Sequence, residues 1–292
     1  MLFSRFALPL RSKLSRLAVI TSLPLLSSIG FIGCEDDKMM NPPPAQSIGR
    51  SVFAVDAGNN LIRFGAQSPN VVTRRAVISG LQGGETVVGI DFRPVDKKLY
   101  ALGSTSRVYT IDTLTAAATL VGTTAFAPAL NGASFGVDFN PVPDRIRVHS
   151  DAEQDLRLNP ATGGLAAVDS ALAYNAGDAN FGVNPNIAGT AYTNSVAGAT
   201  TTVLYAIDSN RDILVTLPSP NNGKMTTVGS LGPNTNEFVG FDIAGDTGIA
   251  YATLTLGSAG SSLYTINLTT GAATAVGNID NSAALRGIAV AP

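Results

Sequence analysis

The chain of 292 residues contains one cysteine, one histidine and no tryptophan, and only 14% of its residues are charged. A single thiol cannot close an intramolecular disulfide, so the fold must hold without a cross-link. With His149 as the lone histidine, any Ser-His-Asp or metal-histidine chemistry has to pass through it. Its neighbours Ser150 and Asp151 cannot be its triad partners, because adjacent residues of a strand point to opposite faces. No Gly-rich loop precedes a helical pattern, which removes phosphate-cradling and dinucleotide-binding enzymes. Helical periodicity is itself scarce. The 30 glycines and 16 prolines, set among many Thr, Val and Ala residues, suit short strands joined by tight turns.

The first 33 residues follow a different logic. Arg5, Arg11, Lys13 and Arg16 form a cationic leader without an acidic residue, followed by an apolar run from Leu17 to Gly33 that Pro24 interrupts. The run is too short and too broken to span a bilayer comfortably, and reads as a secretion signal. It ends at Phe31-Ile32-Gly33-Cys34, which resembles the bacterial lipobox, so Cys34 is expected to be lipidated and to become the mature N-terminus. Residues 34–50, polar and Pro-rich, read as a flexible tether from that anchor. Removing the leader leaves 15 basic against 21 acidic residues, a net charge of −6, which disfavours nucleic acid as a partner. The expected setting is the bacterial cell envelope, periplasm-facing or surface, with the membrane reached through a lipid.

Residues 51–292 repeat themselves. A glycine opens an apolar run at Gly89-Ile-Asp-Phe, Gly136-Val-Asp-Phe, Gly189-Thr-Ala-Tyr, Gly240-Phe-Asp-Ile and Gly287-Ile-Ala-Val, at intervals of about 50 residues. Three further strand-like runs follow in each complete unit, as in KLYALGS, RVYTID and AATLVG. The chain ends on a first strand, RGIAVAP, with no unit after it, whereas it enters the repeat at Ser51 with three later strands and no first one. The spacing therefore predicts an all-β fold, a β-propeller of about five four-stranded blades closed by strands from both termini, with Gly287 to Ala291 beside Ser51 to Asp56. A sixth blade, or an open sandwich or solenoid, is the competing arrangement.

The segments FGVDFNPVPDRIRV, AYTN, LYAID and LYTINLTTGAATAVG resemble the bacterial family known as domain of unknown function 4394, over most of residues 51–292. The resemblance implies a propeller-like fold in an exported protein and brings no catalytic residues with it. Where that family usually carries Gln-x-Pro-Pro-Asn-x-Gly, this chain has Leu217-Pro218-Ser219-Pro220-Asn221-Asn222-Gly223.

Three repeats place an aspartate two residues after the opening glycine, at Asp91, Asp138 and Asp242. First strands lie nearest a propeller axis, so these carboxylates are expected either to converge on a hard cation such as Ca²⁺ or to fasten blades by accepting backbone N–H bonds from a neighbouring turn. Asp208, Asn210 and Asp212 resemble the start of a calcium loop, but Ile213 stands where glycine is needed and Ser219 at the closing position, so a hairpin turn is expected. Tyr100, Tyr109, Tyr205, Tyr251 and Tyr264 recur with the repeat and read as packing between blades rather than sugar platforms. Two functions stay open: a binding module for a protein, peptide or glycan, and a calcium-dependent, lactonase-like hydrolase with carboxylates at the axis.

Overall fold

The computed structural model describes residues 48–279 and 284–292. Cys34, the leader and most of the tether lie outside the described residues.

The chain first lays down β1 (Ser51–Asp56), β2 (Asn60–Gly65) and β3 (Ser68–Val77). A complete meander follows, β4 (Val87–Phe92), β5 (Leu99–Gly103), β6 (Arg107–Ile111) and β7 (Ala118–Val121). The next comprises β8 (Phe135–Asn140), β9 (Arg145–Ser150), β10 (Asp155–Leu158) and β11 (Leu165–Val168). After the two-residue β12 (Ala173–Tyr174) come β13 (Ile187–Tyr192), β14 (Leu204–Asp208), β15 (Ile213–Ser219) and β16 (Lys224–Ser230). The last meander is β17 (Val239–Ile243), β18 (Ala250–Thr255), β19 (Ser261–Ile266) and β20 (Ala273–Asn278), and β21 (Leu285–Val290) ends the chain.

These strands form five sheets, and the first is completed by the last strand of the chain, in the order β21-β1-β2-β3. Phe53 stands opposite Ala289 and Ala54 opposite Ile288, so the two ends of the domain close one blade as the repeat predicts. The innermost strands β4, β8, β13, β17 and β21 meet in that cyclic order. Five blades encircle one axis, which excludes the open sandwich and the solenoid.

The fourth blade departs from the repeat. It has a fifth strand, β12, pairing in parallel with β16. Two residues carry no readable alternation, so sequence alone does not mark it. Tertiary contacts hold it: the buried Tyr174 donates its hydroxyl proton to Asp208 Oδ2 at 2.5 Å.

The recurring glycine exists because inner strands crowd the axis. A Cβ on Gly89 would stand 2.4 Å from Val137, on Gly136 2.7 Å from the Thr190 nitrogen, on Gly189 2.9 Å from Phe241 and on Gly240 2.7 Å from the Ile288 nitrogen. Each obstacle belongs to the next blade around the ring. Only glycine permits this approach.

Four of the five blade seams are apolar. Phe53, Val55 and Leu61 pack on Ile90, Phe92 and Leu99 between the first and second blades, and the rings of Tyr100 and Phe139 meet edge to face at 5.1 Å between the second and third. Tyr100, Tyr109, Tyr251 and Tyr264 are buried, in keeping with a packing role. The third and fourth blades join differently. Apolar residues on that side of the fourth blade cluster with β12 and the strands of their own blade, and the third blade presents Arg147, His149 and Asp155 instead.

Candidate functional site

Asp91, Asp138 and Asp242 are buried and converge, with ligand oxygens within 4.8 Å of one another. Their hydrogen bonds explain both the repetition and its gaps. The innermost strand of each blade is a sheet edge, and its inward N–H groups need acceptors. Asp91 accepts from its own Phe92 N–H and from the Phe139 N–H of the next blade, both at 2.7 Å. Asp138 accepts from the Tyr192 N–H of the next blade at 3.0 Å. Asp242 accepts from its own Ile243 and from Val290 of the next blade, both at 2.6 Å. The blades preceding Phe92 and Ile243 carry Ala289 and Ala191 at the aspartate position. In those two places the strand's own aspartate accepts the N–H bond that a neighbour would otherwise accept. Three carboxylates thus serve five N–H groups, and the donors lie in inner strands rather than in turns.

Three buried carboxylates cannot all keep full charge. Burial, followed by repulsion from Asp242, holds Asp91 well above the usual carboxylate range, and burial with repulsion from Asp91 and Asp242 does the same for Asp138. Burial pushes Asp242 up to about 6, against the pull of its two backbone N–H bonds. An acid whose folded-state value lies above its unfolded value stabilises the fold at low pH and loses that contribution as pH rises through the folded value. For Asp242 the window opens near pH 4 and extends past pH 6. Asp138→Asn is therefore expected to flatten the fall in urea stability between pH 4 and pH 7.5, measured in chelator. A slope equal to that of wild type would show that this cluster does not govern the pH response.

As a cation site the cluster fits in part. Its donor set is all carboxylate oxygen, which suits Ca²⁺, and 4.8 Å is about twice a calcium–oxygen distance. Ca²⁺ takes six to eight oxygens, however, and the cavity on the axis at the glycine layer measures about 10 Å³, as does a second one beside Asp91 in the seam between the second and third blades. That space holds one water and seats no substrate.

A larger space opens above the glycine layer, where the inner strands begin. This funnel has a volume of about 210 Å³, and every blade contributes to its wall, through Val88, Phe135, Ala188, Phe238 and Arg286 in turn. Ser134 and the exposed Glu237 also face it. At the glycine layer beneath it the open space narrows to about 10 Å³, enough for one water and too little for a polypeptide to pass.

The remaining sites resolve structurally. Asp208, Asn210 and Asp212 lie at the β14–β15 hairpin, as expected of a turn. Asp208 accepts from Tyr174, Asn186 and Asn210, while Asp212 accepts from the Thr235 N–H at 2.7 Å. The two carboxylates serve separate partners. His149 meets Thr190, whose Oγ1 lies 2.9 Å from Nδ1, while Nε2 stands 3.4 Å from Asp155 Oδ1 without a hydrogen-bond partner among the described residues. All three residues are buried, which leaves no path for a substrate. Beside them Arg147, missed by the sequence reading, donates to Asp155 and Asp169 at 2.6 Å each, to Tyr192 at 3.1 Å and to Asn221 at 2.7 Å. Asn221 lies in the Leu217–Gly223 loop, whose asparagine thus caps a buried guanidinium.

Residues 60–289 match the family described as Domain of unknown function (DUF4394). The chain belongs to that family. No curated protein matches it significantly. Among solved structures it is similar to a chain of a nidogen/laminin complex, at 14% identity and a TM-score of 0.49, covering 84% of this chain and 99% of that one. It is also similar to TolB from Acinetobacter baumannii (10% identity, TM-score 0.43, 80% of this chain and 54% of that one). An auxiliary nutrient binding protein from Bacteroides ovatus gives 14% identity and a TM-score of 0.40, over 68% of this chain and 55% of that one. The chain spans little more than half the length of the latter two.

Proposed function

We propose that this member of the family is an exported, lipid-anchored cell-envelope protein whose propeller binds a protein, peptide or glycan end-on in the axial funnel. The observation that carries the reading is the funnel's construction: a cup that narrows at the glycine layer and to whose wall every blade contributes. At about 210 Å³ it falls below the usual size of a small-molecule pocket, and suits one protruding residue or sugar of a larger partner. The hydrolase reading is weaker, because the carboxylates it needs lie beneath the glycine layer with no room for a substrate.

The tether joins the domain at Ile48, whose carbonyl accepts from the Gln67 N–H at 3.0 Å, and Arg50 reaches Ala291 beyond the end of β21. Arg286 stands at the opposite end of that strand. No helix among the described residues is long and apolar enough to cross a membrane.

Two variants test the proposal in the producing cells. Cys34→Ser should abolish incorporation of labelled palmitate and release the protein from membranes. Ala133→Trp, at an exposed position on the funnel wall, should plug the cup and abolish co-purification of a cross-linked partner while the melting temperature holds. Palmitate labelling that persists in Cys34→Ser defeats the anchor, and a partner retained by Ala133→Trp defeats the funnel.

A further inference from the structure

The residue that precedes the axial glycine breaks its own pattern in one blade. Val88, Phe135, Ala188 and Val239 fill that position in four inner strands, and all four are buried. The closing strand has Arg286 there, half-buried and facing the funnel. The fold itself is served by an apolar side chain at this place. A guanidinium withdrawn from water without an acceptor is costly, and no carboxylate among the described residues forms an ion pair with Arg286. Residues that break a local rule without a structural return mark functional positions.

We propose that the funnel captures the C-terminal carboxylate of a polypeptide whose last side chain is apolar, with Arg286 as the partner of the anion. The inference rests on the funnel being the recognition site. Arg286 supplies a planar fork of N–H donors that matches a carboxylate in two parallel bonds. The narrow floor, with room for one water, admits a chain end and stops a chain running through. Val88, Phe135 and Phe238 give the cup apolar walls for one side chain, and the Ser134 hydroxyl adds a second polar contact. Glu237, exposed on the same wall, repels a second negative charge and so selects against a terminal Asp or Glu. A uronic acid would offer the carboxylate without the apolar bulk these walls accommodate.

The test uses the full chain in detergent and N-terminally immobilised hexapeptides with every residue at the last position, each as free acid and as amide. Free acids ending in Leu, Val or Phe should be retained, and amidation should weaken binding about tenfold. Arg286→Gln should erase the difference between acid and amide, and it should fold, because four blades tolerate an uncharged residue there. Peptides that bind equally well as acid and amide, with Arg286→Gln without effect and Ala133→Trp abolishing binding, would overturn the carboxylate and leave the funnel reading standing. Binding indifferent to Ala133→Trp would overturn both. Retention of no peptide, alongside Arg286-dependent binding of a glucuronate-terminated oligosaccharide, would overturn the peptide and keep the anion site.

Discussion

Gly240→Ala is expected to destabilise the domain by about 3 kcal/mol, near the upper end of what overpacking a core costs, and to lower its melting temperature by about 10 °C. The added methyl carbon would stand 2.7 Å from the backbone nitrogen of Ile288, 2.9 Å from the carbonyl carbon of Gly287 and 2.7 Å from Thr253 Oγ1. A flexible side-chain tip could rotate away from such a contact, whereas the Ile288 and Gly287 atoms are main chain of β21. The strand that must yield is therefore the one that closes the ring against β1. Gly83→Ala supplies the control, since nothing lies within 4 Å of its new methyl group and its backbone is not left-handed, so it should be neutral or slightly stabilising. Urea denaturation of both variants followed by far-ultraviolet circular dichroism decides the matter. Equal midpoints would mean that the inner strands are not in contact through their glycines.

The same close approach explains why so much of this fold is readable from the chain. A glycine forced by the close approach of neighbouring inner strands recurs once per blade, and the strand pattern that follows it recurs too, so blade number and ring closure are both written in the repeat. The aspartates are legible for the same reason, down to their shared level on the axis. Their division of labour is not, because it depends on which blade precedes which: Ala191 and Ala289 decide that Asp242 and Asp91 bond within their own strands. Strand β12 escapes notice because a two-residue pairing is fixed by the burial of Tyr174 and not by local propensity. Arg286 and Arg147 escape for a more instructive reason. Each is an exception inside an alignment that draws the eye to what is common. The place opposite the axial residue holds Phe53, Tyr100, Tyr205 and Tyr251 in four blades and Arg147 in the third. Reading the repeat for its departures finds both arginines.

Arg147→Met should destabilise the domain by about 4 kcal/mol, because removing one member of a buried ion cluster leaves the others charged and uncompensated. The guanidinium is nearly as buried as any residue in the molecule and bonds four side chains that it alone brings together. Burial works against its charge, yet the neighbouring Tyr192 and Asp155 more than offset this and raise its affinity for the proton. Asp169 keeps a second partner in Arg157, at 2.7 and 2.8 Å, and these two arginines hold it below the usual carboxylate range in spite of burial. Asp155 has no such reserve: besides Arg147 it faces only His149, at 3.4 Å, and its Oδ2 is buried without a hydrogen-bond partner among the described residues. Most of the loss should therefore trace to Asp155. Adding Asp155→Leu to Arg147→Met removes the orphaned charge along with its partner and should recover more than half of the stability, as replacement of a buried ion pair by apolar residues commonly does. The seam would then resemble the four apolar seams of the ring. A double variant no more stable than Arg147→Met would place the cost elsewhere, in the loss of the bond that ties Asn221 and the Leu217–Gly223 loop to the third blade.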